Sequence, residues 1–123
     1  MAKRLQPLTM KDFLYDEFMK PLGISAYKLA KDIHVPVSRI QDILHGRRKM
    51  SIDTSMRLGK YFGMDLLFFF KLQLDIDYRK ARYDLEKELE KIDSIQKQPE
   101  SFLKNKRKLQ EELDNIASII HAK

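Results

Sequence analysis

Residues 35–48 read VPVSRIQDILHGRR, and this stretch decides the fold. Pro36 stands where a helix begins, since its missing N–H is one that the first turn leaves unpaired anyway, and Gly46 stands where one ends about ten residues later. Within that span Ile40, Ile43 and Leu44 fall on one side, so Val37, Ser38, Gln41, Asp42 and His45 are expected to face outward. The preceding residues complete a pair. Ser25 is placed to cap AYKLAKDI, whose Leu29, Ala30 and Ile33 make a narrow apolar face, and His34-Val35 is a tight connection. Ala30 is small where two short helices would cross closely, and Ile40 lies ten residues on, facing it. The spacing suits a helix-turn-helix that offers 36–45 to a DNA major groove, and equally suits an ordinary amphipathic pair in a helical bundle.

Working outward, helix signals continue in both directions. Thr9 caps a helix through MKDFLYDEFMK, which Pro21 and Gly23 are expected to close. Ser51 caps IDTSMRLGKYF, ended by Gly63, and Asp65 caps a fifth helix that opens with the apolar run 66–70 and turns charged after Asp75. From Tyr78 onward, Tyr78, Leu85 and Ile92 recur every seven residues with Ala81 and Leu89 beside them. Gln98-Pro99 interrupts. Beyond the break Phe102, Leu109 and Ile116 recur every seven, and Leu113 and Ile120 form a parallel row in which Lys106 takes an apolar position. Two such single-stripe helices suit an antiparallel hairpin or docking on another subunit. No segment reads as a strand.

Charge points to a polyanionic partner for the first half. Residues 1–50 carry ten Lys/Arg against five Asp/Glu, whereas 51–123 carry fourteen against thirteen, so nearly all of the +6 excess sits beside the helix pair. Cysteine is absent, which excludes disulfides and thiolate metal sites. The basic N-terminus is followed by no apolar signal core, and no apolar run approaches the roughly 18–20 residues of a membrane span, so a soluble, cytoplasmic chain is expected. An enzyme is not: His34, His45 and His121 are scattered, no Gly-rich phosphate loop occurs, and Glu86, Glu88 and Glu90 read as a solvated helix face. No cofactor and no metal are expected.

The stretch FMKPLGISAYKLAKDIHVPVSRIQDILHGRRKMSIDTSMRLGKYFG, with the following LLFFFKLQLDIDYRKA, resembles the HigA-type antitoxins, a branch of the Xre/Cro-like helix-turn-helix regulators. The likeness runs without a gap from Leu8 to about Ala81. It implies a five-helix Cro/lambda-repressor-like domain, placed over 1–75, in a chain that reads all-α throughout; the heptad spacing, and not the resemblance, adds a C-terminal helical extension over 76–123, read as a helical hairpin for dimerisation or toxin docking. The resemblance further implies a homodimer on double-stranded operator DNA in its own promoter, and a partner toxin of the HigB/RelE-like, mRNA-cleaving type. Carried onto these positions, Ser38, Arg39 and Gln41 meet base edges or backbone, Val37 a thymine methyl, and Asp42 a cytosine amino group or, by repulsion, a phosphate. Arg47, Arg48 and Lys49 then hold phosphates, with Ser25 and Tyr27 adding contacts from the preceding helix end.

The resembling family pairs its subunits at the start of the fifth helix, which here implies Phe68, Phe69, Phe70 and Leu74. Two departures stand out. Gln6-Pro7-Leu8-Thr9 replaces the family's frequent His-Pro-Gly-Glu, and the chain beyond about residue 96 extends past the usual family end. The alternatives are a lone phage- or plasmid-type repressor without a toxin, and a helical interaction protein with vestigial DNA binding.

Overall fold

The computed structural model describes residues 8–121, without the side chains of 118–121; Gln6, Pro7 and the Ile120 and His121 side chains therefore lie outside the described residues. The chain divides into two units after Asp84. Every described element is helical.

In the first unit, α1 begins with a reciprocal cap. Thr9 Oγ1 accepts from the Asp12 N–H at 3.4 Å while Asp12 Oδ2 accepts from the Thr9 N–H at 2.7 Å, which satisfies two orphan donors together. Helix α1 runs as Met10–Phe13, widens into a π-helical stretch, Leu14–Met19, and closes as Lys20–Leu22 against left-handed Gly23 (φ 65°). The sequence pattern placed Pro21 after the helix; the structure places it inside. In a regular α-helix its ring would strike the Glu17 carbonyl, and the looser register just before it, with Lys20 N–H bonded to Tyr15 O, makes room.

Helix α2 (Ala26–Ile33) is capped by Ser25, whose Oγ accepts from the Lys28 N–H at 3.1 Å. His34 takes a left-handed conformation (φ 63°), and the N–H of Val35 reaches back to Ala30 O at 3.0 Å, turning the chain directly into α3 (Val37–Leu44). Pro36 is the N-cap of α3 and not its first residue; His45 is the C-cap. Helix α4 (Ile52–Phe62) starts at the Ser51 cap (Oγ to Thr54 N–H, 3.2 Å) and ends at left-handed Gly63. The Asp65 carboxylate accepts from the Leu67 N–H at 3.3 Å ahead of α5 (Phe68–Glu90).

The core gathers one face of each helix: Met10, Leu14 and Met19, then Leu29, Ala30 and Ile33, Ile40 and Ile43, Met50, Leu58 and Phe69. Phe18 is the hub of an aromatic cluster, with ring centroids 5.0 Å from Phe62, 6.0 Å from Phe68 and 5.0 Å from Phe69. Phe69 is 0% exposed, so truncating it to Ala would cost about 3–5 kcal/mol.

The second unit holds the end of α5 and α6 (Glu100–His121), separated by a non-helical break over 91–99. Of its apolar residues, Leu85, Leu89, Ile92, Phe102, Leu109, Leu113 and Ile116 are exposed, and Leu103 is half-buried. Leu85 and Leu89 lie on α5 and Phe102, Leu109, Leu113 and Ile116 on α6, whereas Ile92, expected to continue the first stripe, falls in the break.

Candidate nucleic-acid interface

The outward surface of α3 and the loop after it form one candidate site. Ser38 and Gln41 stand exposed on α3, one turn apart, with hydroxyl and amide able to donate and accept. Nothing within the chain uses their side-chain atoms among the described residues. His45 is committed locally: its Nδ1 donates to Gln41 O at 2.8 Å, so the ring closes the helix end instead of extending the reading surface.

Two other expected readers are less available. Val37 is half-buried and packs against the core. Arg39 is drawn sideways onto α4, with its Nη1 3.5 Å from Asp53 Oδ1, its side chain 27% exposed and its Nε buried with no partner among the described residues. Arg57 shares that carboxylate at 2.7 Å and donates from Nη1 to Ile33 O at 2.9 Å and His34 O at 3.4 Å. It thereby caps the C-terminus of α2 and fixes the turn from α4. Sequence reasoning missed Arg57; the only local signal is its i,i+4 spacing from Asp53, which reads as an ordinary surface pair.

The loop is built by Gly46, at φ 77°, which lets the N–H groups of Arg47 (2.8 Å) and Arg48 (3.2 Å) both return to Asp42 O. The three cations then differ. Arg47 lies against Asp42, and Lys49 Nζ is 3.2 Å from Asp77 Oδ2, while the exposed Arg48 side chain has no partner among the described residues. Asp42 is thus engaged by Arg47. On α2, Tyr27 is 68% exposed and the Ser25 hydroxyl, though accepting the cap bond, retains its proton to donate. The next turn of α2 is tied down: Asp32 accepts from Lys28 Nζ at 2.9 Å and from the Tyr61 hydroxyl at 2.7 Å, which binds α2 to α4.

The expected subunit seam also sorts by burial. Phe69, named for it by resemblance, has no surface to share, because it is fully enclosed by its own chain; Phe68 likewise packs inward on the core. Phe70 is half-buried, and Leu66 (42%) and Leu74 (60%) are exposed one turn to either side of it. Ile52 and Met56 of α4 are also exposed, flanking Ser55, whose Oγ donates to Leu66 O and accepts from the Phe70 N–H, both at 2.9 Å. No group of three or more metal-ligating side chains occurs among the described residues, and no described helix is long and apolar enough to cross a membrane.

A tight two-helix unit with a neutral polar face, flanked by cations and braced by three further helices, defines a helix-turn-helix protein of the DNA-binding class. The helix-turn-helix family profile matches residues 17–69. Virulence-associated protein I of Dichelobacter nodosus is 40% identical over 73 residues, covering 59% of this chain and 68% of that one. The Pseudomonas aeruginosa antitoxin HigA, solved with the higBA promoter, superposes with a TM-score of 0.67 at 28% identity over 74% of this chain and 100% of its own. An addiction module antidote protein of the HigA family from Coxiella burnetii gives a TM-score of 0.67 at 32% identity, covering 75% of this chain and 100% of that one. The chain belongs to the Xre/Cro-like helix-turn-helix regulators, on their HigA-type branch. Proteins of this family and fold are DNA-binding regulators, not enzymes.

Proposed function

We propose that this chain is the antitoxin of a HigBA-type module, which binds operator DNA as a dimer, represses its own operon and neutralises a partner mRNA-cleaving toxin. One observation supports it most: the exposed Ser38–Gln41 face and the Arg47–Lys49 loop lie together on a fold whose neighbour is an antitoxin solved with its own promoter. In this reading Ser38 and Gln41 select among base edges, while Arg48, and Lys49 once released from Asp77, hold phosphates and Arg47 adds its charge beside them while neutralising Asp42. Arg39 has a supporting part, steadying α3 against α4. Tyr27 and Ser25 add phosphate contacts from α2.

The dimer is assigned to the exposed side of early α5, with Leu66, Phe70 and Leu74 meeting the same residues of a second copy. Two half-sites about one helical turn apart would then be read together, and the occupied promoter is closed to transcription. Toxin binding changes operator affinity through linkage between the two sites. A lone repressor with the same DNA surface is the second reading.

Two measurements test this. Gel shift on the sequence upstream of the gene should show that Ser38→Ala with Gln41→Ala loses operator preference, by about 1–3 kcal/mol for each base contact removed, yet keeps weak binding to any duplex. An unchanged preference sinks the assignment of α3. Co-expression with the neighbouring small reading frame should yield a stable complex and rescue growth; a neighbour that is harmless alone leaves the lone repressor.

A further inference from the structure

The loop that follows α3 is held from α5 by two residues outside the predicted site. The Met50 N–H, buried, donates to Gln73 Oε1 at 2.9 Å; Gln73 Nε2 donates to Asp77 Oδ1 at 3.1 Å; and Asp77 Oδ2 takes Lys49 Nζ at 3.2 Å. Gln73 is buried in an otherwise apolar setting, where an amide persists only if both its ends are used, and here both are. The result is a rigid backbone at residue 50, and beside it a lysine whose headgroup is tethered but still largely open to water.

We propose that Asp77 is a specificity-setting counter-ion for Lys49, and that Gln73 is the residue that positions it. The inference rests on the DNA-binding reading above. An exposed ion pair is weakly held, so a phosphate placed at the right distance displaces the carboxylate, whereas a duplex docked out of register must compete with it. Asp77 therefore taxes every encounter by one phosphate contact and returns it only where the base-reading face has already fixed the register. Because Gln73 and Asp77 sit on the helix that carries Leu74, anything that shifts α5 relative to the loop alters how firmly Lys49 is held.

The test uses the full chain with two labelled duplexes, the upstream sequence and a scrambled one of equal length, titrated across a salt series. Asp77→Asn should bind the scrambled duplex severalfold more tightly, steepen its log K against log[salt] slope by about 0.9, and narrow the preference for the upstream sequence. Lys49→Ala should erase that gain when combined with Asp77→Asn. Asp75→Asn, on the same helix but paired with Arg79, is the control for simple loss of negative charge and should give little change. A gain that survives in the Lys49→Ala background, or that Asp75→Asn matches, overturns the proposal, as does no gain at all. If the unaltered protein shows no salt-dependent DNA binding, the DNA reading itself fails, which separates the two failures.

Discussion

Arg47 lays both Nε (3.0 Å) and Nη2 (2.9 Å) on one oxygen, Oδ1, of Asp42. The same two residues are also joined through the backbone, Arg47 N–H to Asp42 O at 2.8 Å. On the proposed DNA-binding face a bare carboxylate would be repulsive; answered by a guanidinium it becomes a bracket that fixes where the loop leaves α3. The division of labour in 35–48 therefore runs through this pair: polar, uncharged atoms on the helix face, charge held at its exit.

This arrangement gives Arg47 and Arg48 different behaviour. Arg48→Ala removes one unpartnered cation and should weaken binding to all duplexes alike, flattening the salt slope by about 0.9. Arg47→Ala also strips Asp42 of its counter-charge and should cost more, on every sequence. Adding Asp42→Ala to it should recover the difference. Equilibrium binding of the three variants at several salt concentrations decides the matter; equal losses for the two arginines would mean that Asp42 does not influence DNA.

Gly59 marks the closest approach between α4 and the chain leading into α5. A Cβ built there would lie 2.7 Å from Asp65 O and 2.9 Å from Leu66 Cα, both backbone atoms with little room to yield. Gly59→Ala, ordinarily a gain in a helix interior, should here destabilise by about 1–3 kcal/mol, visible as a lowered Tm by circular dichroism. A raised Tm would show that the junction is looser than these distances.

What could be read in advance follows from range. Caps at Thr9, Ser25 and Ser51, the stops at Gly23, Gly46 and Gly63, and the exposed Ser38–Gln41 face rest on neighbours within a turn or so, and the local pattern carries them. The contacts of Arg39 with Asp53 and of Phe69 with the Phe18 cluster were not legible, because these partners are distant in sequence and no periodicity reports them. Nothing local singles out Gln73; its amide matters because the Met50 N–H arrives from 23 residues away. The need for Gly59 comes from the approach of the Asp65 and Leu66 backbone, which no local pattern carries.

The Asp32–Tyr61 bond makes stability depend on pH at two edges. Tyr61 foremost, then Lys28, holds the Asp32 carboxyl below its ordinary 3.8, so its contribution is full above about pH 4 and is lost as pH falls through the folded-state value. The bond to Asp32, aided by burial, raises Tyr61 above its ordinary 10.0, so that contribution is full below pH 10 and is lost as pH climbs past the folded-state value. Tyr61→Phe should lower Tm between about pH 5 and 9, and its gap from the parent protein should narrow beyond both edges. A gap that stays constant from pH 3 to 11 would mean that packing, not the hydrogen bond, accounts for Tyr61.

Leu74 offers the sharpest test of how two copies meet. It is 60% exposed, so Leu74→Glu disturbs little of the folded subunit, and Leu66→Glu is similar at 42%. In a two-fold interface each substitution acts twice. Burying a leucine contributes about 1.5–3 kcal/mol, so losing it on both subunits weakens association by about 3–6 kcal/mol, or roughly 10²–10⁴-fold in dimer Kd. Sedimentation or light scattering at micromolar protein should then show a monomer that is still folded by circular dichroism and melts cooperatively, and operator affinity should fall because half-sites are read singly. Phe69→Ala provides the contrast, since a residue enclosed in its own core should unfold the domain instead of dissociating it. A Leu74→Glu protein that remains dimeric would move the subunit contact off early α5 and leave the uncovered stripe of Leu109, Leu113 and Ile116 as the next surface to alter.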